Sequence, residues 1–219
     1  MNEAIAYALG AAGRGEPAPS LTDPYFIRIK PGLYVEDVNF HPHIHLVGDD
    51  WSQQARNTPN GVMPVILRTA NAAGSTHTYY PAIPEAPCFL TNIAFENGAV
   101  TAQPVIKHSK GALLLHNCTV FQRANGATQG ACIESISSNP GEPVHLLASN
   151  CRIHSFANAD DSRWAIIFDS ELDKESALSL FHTTVSGRSG VSFNQSNHED
   201  SGAFCYWSSI IAGEGYAIR

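Results

Sequence analysis

Lys107, Glu134, Asp169, Asn194 and Arg219 each follow an apolar residue at an equivalent place in a repeated pattern: Ile106, Ile133, Phe168, Phe193 and Ile218. If those apolar residues stack on successive strands, the polar ones form a row, and Glu134 stands beside Asp169. Two carboxylates about 5 Å apart repel one another and raise one pKa, the arrangement that acid–base catalysis on sugars uses. Lys107 and Arg219 would flank them as electrostatic partners. The same row would serve to bind sugar hydroxyls, and it would equally serve as a solvated outer face, since outward strand positions are ordinarily polar.

A second acidic group comprises Asp160, Asp161, Asp169, Glu171 and Asp173. Loop oxygens are the right ligands for Ca²⁺, but this spacing fits no calcium loop, so no cofactor is expected and Ca²⁺ is the only one these ligands would suit. His41, His43 and His45 alternate, and His43 and His45 would share an outer face if Ile44 points inward. Zinc would need a third ligand that the sequence does not supply, so no metal site is assigned. The stretch 51–87 carries Trp51, His77, Tyr79 and Tyr80 among Gly, Asn and Pro. It reads as a long loop whose aromatic faces could stack on sugar rings, or as a lid packed on the scaffold. Trp164, Tyr206 and Trp207 add aromatics near strand ends.

The elements that must position these groups follow from periodicity. CFLTNIAF from Cys88, LLLHNCTV from Leu113, LLASNCRI from Leu146, LSLFHTTV from Leu178 and AFCYWSSII from Ala203 lie over one another. Phe95, Val120, Ile153, Val185 and Ile210 fall at equivalent places. Each segment alternates apolar and polar residues, the period-two signature of a strand. A second strand follows each, giving a second column that keeps step with the first while the intervening lengths vary, as loops on a repeat scaffold do. Asn92, Asn117 and Asn150 recur at one position, and Cys118 and Cys151 one step later. Stacked amides would form a ladder that satisfies its own donors and acceptors.

Upstream, Ile27 and Ile29, Val38 and Phe40, Ile44 and Leu46, and the run from Val65 read as further strands. Residues 1–15 contain Ile5, Ala8, Leu9 and Ala12 at helical spacing, ended by Gly13 and Gly15. A helix there would plug an open end. The expected fold is all-β: a single domain over 1–219, a right-handed parallel β-helix of about seven coils with a helical cap over 1–15. Its C-terminal coil has no cap of its own in the sequence, so either the sequence is cut short there or a partner chain or a homo-oligomer, such as a trimer, is expected to cover it.

Composition narrows the partners. Charged residues are 15% of the 219, and the net charge is −7, so there is no basic footprint for nucleic acid. No apolar run approaches the length of a membrane helix, so membrane insertion is not expected. Glu3 stands where a signal peptide would carry basic residues. All five cysteines (Cys88, Cys118, Cys132, Cys151 and Cys205) lie in apolar runs without CxxC spacing, and read as buried, reduced packing residues.

Ile29–Glu36 (IKPGLYVE), Leu46–Asp49 (LVGD), Leu90–Asn97 (LTNIAFEN) and Asn117-Cys118 resemble the opening coils of pectin methylesterases and the wider pectin-lyase-like β-helix group. The resemblance implies the scaffold and a carbohydrate context. The group's D-F-I-F-G catalytic strand is absent, its nearest counterpart being Ile166-Ile167-Phe168-Asp169. Taken together, the sequence leads to a carbohydrate-binding or surface-presenting protein that meets a polysaccharide or glycan surface, in a phage tail spike or a bacterial surface assembly. Its location would be extracellular or virion-associated. Lys107, Asn194, Arg219, Trp51, Tyr79 and Tyr80 are the expected binding residues. The alternatives are a polysaccharide esterase or lyase working from Glu134 and Asp169, and a purely structural subunit.

Overall fold

The computed structural model describes residues 1–49, 65–70, 74–81, 86–97, 103–122, 130–137, 139, 141–155, 164–170, 175–194 and 203–218. The chain opens with α1 (Asn2–Leu9) and a 3₁₀ turn (Ala11–Arg14). Nineteen strands follow among the described residues. They are β1 (Tyr25–Ile29), β2 (Gly32–Val35), β3 (Asn39–Phe40), β4 (Ile44–Gly48), β5 (Val65–Arg68), β6 (His77–Tyr79), β7 (Pro87–Thr91), β8 (Ala94–Glu96) and β9 (Ile106–His108). Next come β10 (Gly111–His116), β11 (Thr119–Gln122), β12 (Ile133–Ile136), β13 (Val144–Ser149), β14 (Arg152–Ser155) and β15 (Trp164–Asp169). The last four are β16 (Ala177–Phe181), β17 (Thr184–Asn194), β18 (Ala203–Trp207) and β19 (Ile210–Ile218).

Every pairing among the described residues is parallel, and through β14 each strand pairs with the third one after it, while β15 pairs with β17. One sheet of seven runs β1-β4-β7-β10-β13-β16-β18. A second, 12-stranded sheet is curled. One arm of it runs β2-β5-β8-β11-β14, the other β3-β6-β9-β12-β15, and the long β17 joins the two. The fold is all-β, and it offers three outer faces: the seven-stranded sheet and the two arms. The alternation of side chains puts one parity inside. Leu113, Leu115, Val120 and Ile133 are fully buried there, in one core that also receives Ile5 and Ala8 of α1.

Between the first and second face the backbone turns through a left-handed residue. Asn92, Asn117 and Asn150 have φ of 58°, 51° and 52°, and His182 and Ser208 continue the column at 47°. Asparagine tolerates that region better than most residues. The expected ladder is present: Asn117 Nδ2 donates to Asn92 Oδ1 at 2.8 Å, and Asn150 Nδ2 to Asn117 Oδ1 at 3.2 Å. One step later, Cys118 and Cys151 direct their thiols to the carbonyls of His116 and Ser149, and Thr183 and Ser209 bond Phe181 and Trp207 in the same way. The column therefore holds a small hydrogen-bonding side chain at a turn.

Several expected details are corrected. The partner of Val185 is Ile211, and Ile210 pairs with Thr184 and lies 64% exposed. Ser209 takes the place of Thr183 at the turn, which fixes the count by one. The helix stops at Leu9, so Ala11 is buried and Leu9 and Ala12 are exposed. The 3₁₀ turn changes the phase there, and Gly15 closes it at φ 78°. Cys205 is exposed, because it has outward parity on β18; the other four cysteines are buried and free. The stretch 51–87 is not a continuous loop, since it contains β5 and β6. His77 and Tyr79 face inward on β6, which hides that strand from a purely apolar pattern.

Candidate functional site

The third face, formed by the β3-to-β15 arm and the end of β17, positions most of the predicted site residues. Lys107 and Glu134 are cross-strand partners, with Nζ 3.7 Å from Oε1. Asp169 and Asn194 are also partners, and Asn194 Nδ2 donates to Asp169 Oδ2 at 3.2 Å. These two neighbouring pairs came out as the repeat alignment required.

The link between the pairs did not. Glu134 faces Ile167, and the partner of Asp169 on β12 is Ile136. Glu134 and Asp169 are therefore two residues out of step, on the diagonal, and not adjacent. The row divides into Thr78, Lys107, Glu134, Ile167 and Ser192 on one line, and Ile136, Asp169 and Asn194 on another. The cause is that Ile166 and Phe168 share a parity and are both buried, so an alternation pattern accepts either as the partner of Ile133. The adjacent-carboxylate arrangement is absent. A similar two-residue offset separates Ile218 from Phe193: a register shift between Gly187 and Ser189 sets Ile218 against Val191. Arg219 lies outside the described residues.

Trp164, Ile167, Asp169, Ser192, Phe193 and Asn194 line a surface pocket of about 330 Å³. Its polar atoms come from the outward parity of β15 and β17, and its apolar wall from the strand ends. Phe193 is held from below by stacking on Phe168, with ring centroids 5.4 Å apart and planes 6° off parallel. On its other side Phe193 stacks on Phe204 at 5.4 Å. Ser192 and Ile167 escaped the sequence reading; their signal is that Ser192 shares the parity of Asn194, and Ile167 that of Asp169. Trp164, at the start of β15, is 8% exposed.

The remaining predicted residues lie elsewhere. Tyr79 was expected to offer its ring to ligand, but it is fully buried and its hydroxyl donates to the Ala86 carbonyl at 2.5 Å. It pairs with His108 on the inner parity of the third face. Tyr80 is 57% exposed, one face of its ring covered by Lys110 Nζ at 4.6 Å from the centroid. Trp51 lies outside the described residues. So do Asp160, Asp161, Glu171 and Asp173 of the acidic group, of which only Asp169 is described; among the described residues no group of three or more His, Cys, Asp or Glu could hold a metal ion. His43 and His45 do not pair as outer-face ligands. His43 is a left-handed turn residue at φ 60°, and the His45 ring is wedged between Phe26 and Phe89.

Beneath the outer row lies a polar interior column. His108 Nδ1 is 3.1 Å from Ser135 Oγ, and His108 Nε2 is 3.0 Å from the carbonyls of Lys110 and Gly111. Two carbonyls at Nε2 require the proton there, so Nδ1 accepts from the Ser135 hydroxyl. A serine beside a histidine is the geometry of an activated nucleophile, but His108 is 1% and Ser135 0% exposed, so no polymer reaches them. His77 sits one step away, with Val38 N–H donating to its Nδ1 at 3.2 Å and Leu67 carbonyl 3.2 Å from Nε2. Burial pushes both imidazoles down to about 4, so both are neutral at physiological pH. These histidines hold strands together.

No protein-family model matches the chain, and no curated protein or solved structure matches it either.

Proposed function

We propose that this chain is a right-handed parallel β-helix of seven coils whose third face binds carbohydrate around Asp169 and Asn194. The coil reading is supported by the parallel pairing of strands three apart, because parallel crossovers in one sheet are right-handed almost without exception. It agrees with the resemblance of the N-terminal coils to the pectin-lyase-like group. The observation that carries the binding reading is the pocket itself. Asp169 and Asn194 stand bonded to each other beside Ser192, with Trp164 and Phe193 in the same wall. A carboxylate, an amide and a hydroxyl offer both donors and acceptors to neighbouring sugar hydroxyls, and a few polar groups beside apolar surface is the usual composition of a small-molecule site.

The esterase or lyase alternative needed Glu134 beside Asp169, and the register of β12 and β15 separates them. Membership of a bacterial-surface or phage tail-spike assembly belongs to the same proposal and is argued by analogy of fold. The test is binding of a panel of neutral and acidic oligosaccharides, beside turnover of acetylated and methylated polysaccharides, by wild type, Asp169→Ala, Asn194→Ala and Glu134→Ala. Binding that is lost in the first two variants, kept in the third and accompanied by no turnover supports the reading. Turnover abolished by Glu134→Ala would replace it with the enzymatic one.

A further inference from the structure

We infer that the outer face of the seven-stranded sheet is a contact surface for a second copy of this chain. The outward parity of this sheet brings Phe26, His45, Phe89, Leu114 and Leu147 into one column across five consecutive strands. The columns on either side hold small, hydroxyl, histidine and aromatic residues, among them His116, Phe181 and Trp207. Of all the outward positions on these seven strands, Arg28 is the one Lys, Arg, Asp or Glu, and it lies at the rim, paired with Asp49 at 2.7 Å. The other two outer faces are charged, with Arg68, Glu96 and Arg152 on one and Lys107, Glu134 and Asp169 on the other.

This face is open to solvent. Phe26 is 61%, Phe89 41% and Trp207 68% exposed. Leu114 and Leu147 are half-buried and His45 is buried between the two rings. Exposed aromatic rings with aliphatic neighbours on a face without interspersed charge are unusual on a monomer and mark an interaction site. The column is also held in place. The His45 ring lies 4.9 Å from that of Phe26 and 4.7 Å from that of Phe89, and His45 Nδ1 accepts the Phe89 N–H at 3.1 Å. Rings fixed in this way lose little freedom on association.

Charge selects the occupant. The chain carries a net charge of −7, so two copies repel wherever their acidic faces meet. In a two-fold contact each patch meets its own image, which a charged face resists and a neutral apolar one permits. This face offers no charge with which to select a dissimilar partner. Seven strands at about 4.8 Å and five residues at about 3.3 Å give a patch of roughly 30 by 17 Å. That is about 500 Å² from each copy, or about 1,000 Å² in all, at the lower bound for a specific interface. The association is therefore a reversible, concentration-dependent dimer.

Sedimentation velocity of the full chain over a wide concentration range tests this. Wild type is expected to shift reversibly from monomer to dimer, and to do so at high salt as well as low. Leu114→Glu, which sets a carboxylate against its own image, should raise the dissociation constant at least about tenfold, as should Phe89→Gln, which removes an exposed ring without adding charge. Thr119→Glu, on the outer face of the β2-to-β14 arm, should dimerise as wild type does. Circular dichroism confirms that each variant is folded, and the two first-sheet variants guard against failure of either one. A wild type that stays monomeric throughout, or first-sheet variants that dimerise as well as wild type, would overturn the inference; so would a dimer lost in Thr119→Glu and kept in Leu114→Glu.

Discussion

The outer face of the seven-stranded sheet and the outer face of the third arm are built on the same inner alternation, and they differ in almost everything that points outward. One presents Phe26, Phe89, Leu114 and Leu147 with a single charge at its rim. The other presents Lys107, Glu134, Asp169 and Asn194, with a pocket where the last two meet. Stacking fixes the inner parity, where a change disturbs every repeat above and below. The outer parity is free of that constraint, so whatever the molecule recognises has to be written there. On the proposed reading, the neutral face meets a second copy and the polar face meets ligand.

The largest expected effects come from the framework that both faces share. Asn117→Ala removes two rungs of the amide ladder and places alanine at φ 51°, where left-handed backbone costs roughly 1–2 kcal/mol and each lost bond about 1 kcal/mol. A loss of about 3 kcal/mol in denaturant unfolding is expected, with both faces weakened together. If one face survived untouched, the shared framework would be refuted.

Acid should act on a similar scale. His77 and His108 have folded pKa values of about 4 because of burial, below the roughly 6.5 of an unfolded histidine. Between those values the unfolded chain binds more protons, so stability falls as pH drops from about 6.5 to about 4. The loss is on the order of 3 kcal/mol for each ring, read as a falling urea midpoint. His108→Gln should flatten the slope, and an unchanged slope in that variant would remove His108 from the account.

Smaller in stability but decisive for the comparison, Asp169→Ala should leave melting within about 0.5 kcal/mol of wild type, as an outer-face change does, while abolishing oligosaccharide binding. The smallest effect belongs to Glu134→Gln. Its ion pair with Lys107 is long, at 3.7 Å, with the Lys107 side chain half exposed, so less than about 1 kcal/mol is at stake. Binding should persist in that variant; its loss would bring Glu134 back into the site.

Much of this was legible in the sequence. Period-two alternation in Leu113–Val120 and its repeats gave the strands, and the recurrence of Asn92, Asn117 and Asn150 gave the turn that joins two faces. The pairing of Lys107 with Glu134 and of Asp169 with Asn194 also came from the repeats. What failed did so for definite reasons. An alternating run such as Ile166-Ile167-Phe168 looks the same when displaced by two residues, so parity survived while the Glu134–Asp169 adjacency did not. The register shift between β17 and β19 adds a residue to β19 that no pattern announces. His77 and Tyr79 occupy inner positions with polar atoms satisfied by backbone partners, which a hydrophobic count reads as surface. His45 erred in the opposite sense, being outward in parity yet covered by two phenylalanine rings.

The most direct test of the central claim, that ligand and self-contact reside on different faces, is equilibrium binding of the oligosaccharide panel to wild type, Asp169→Ala and Leu114→Glu side by side. The account predicts saturable binding by wild type and by Leu114→Glu and none by Asp169→Ala. Binding kept by Asp169→Ala and lost in Leu114→Glu, or no binding by wild type to any member of the panel, would contradict it.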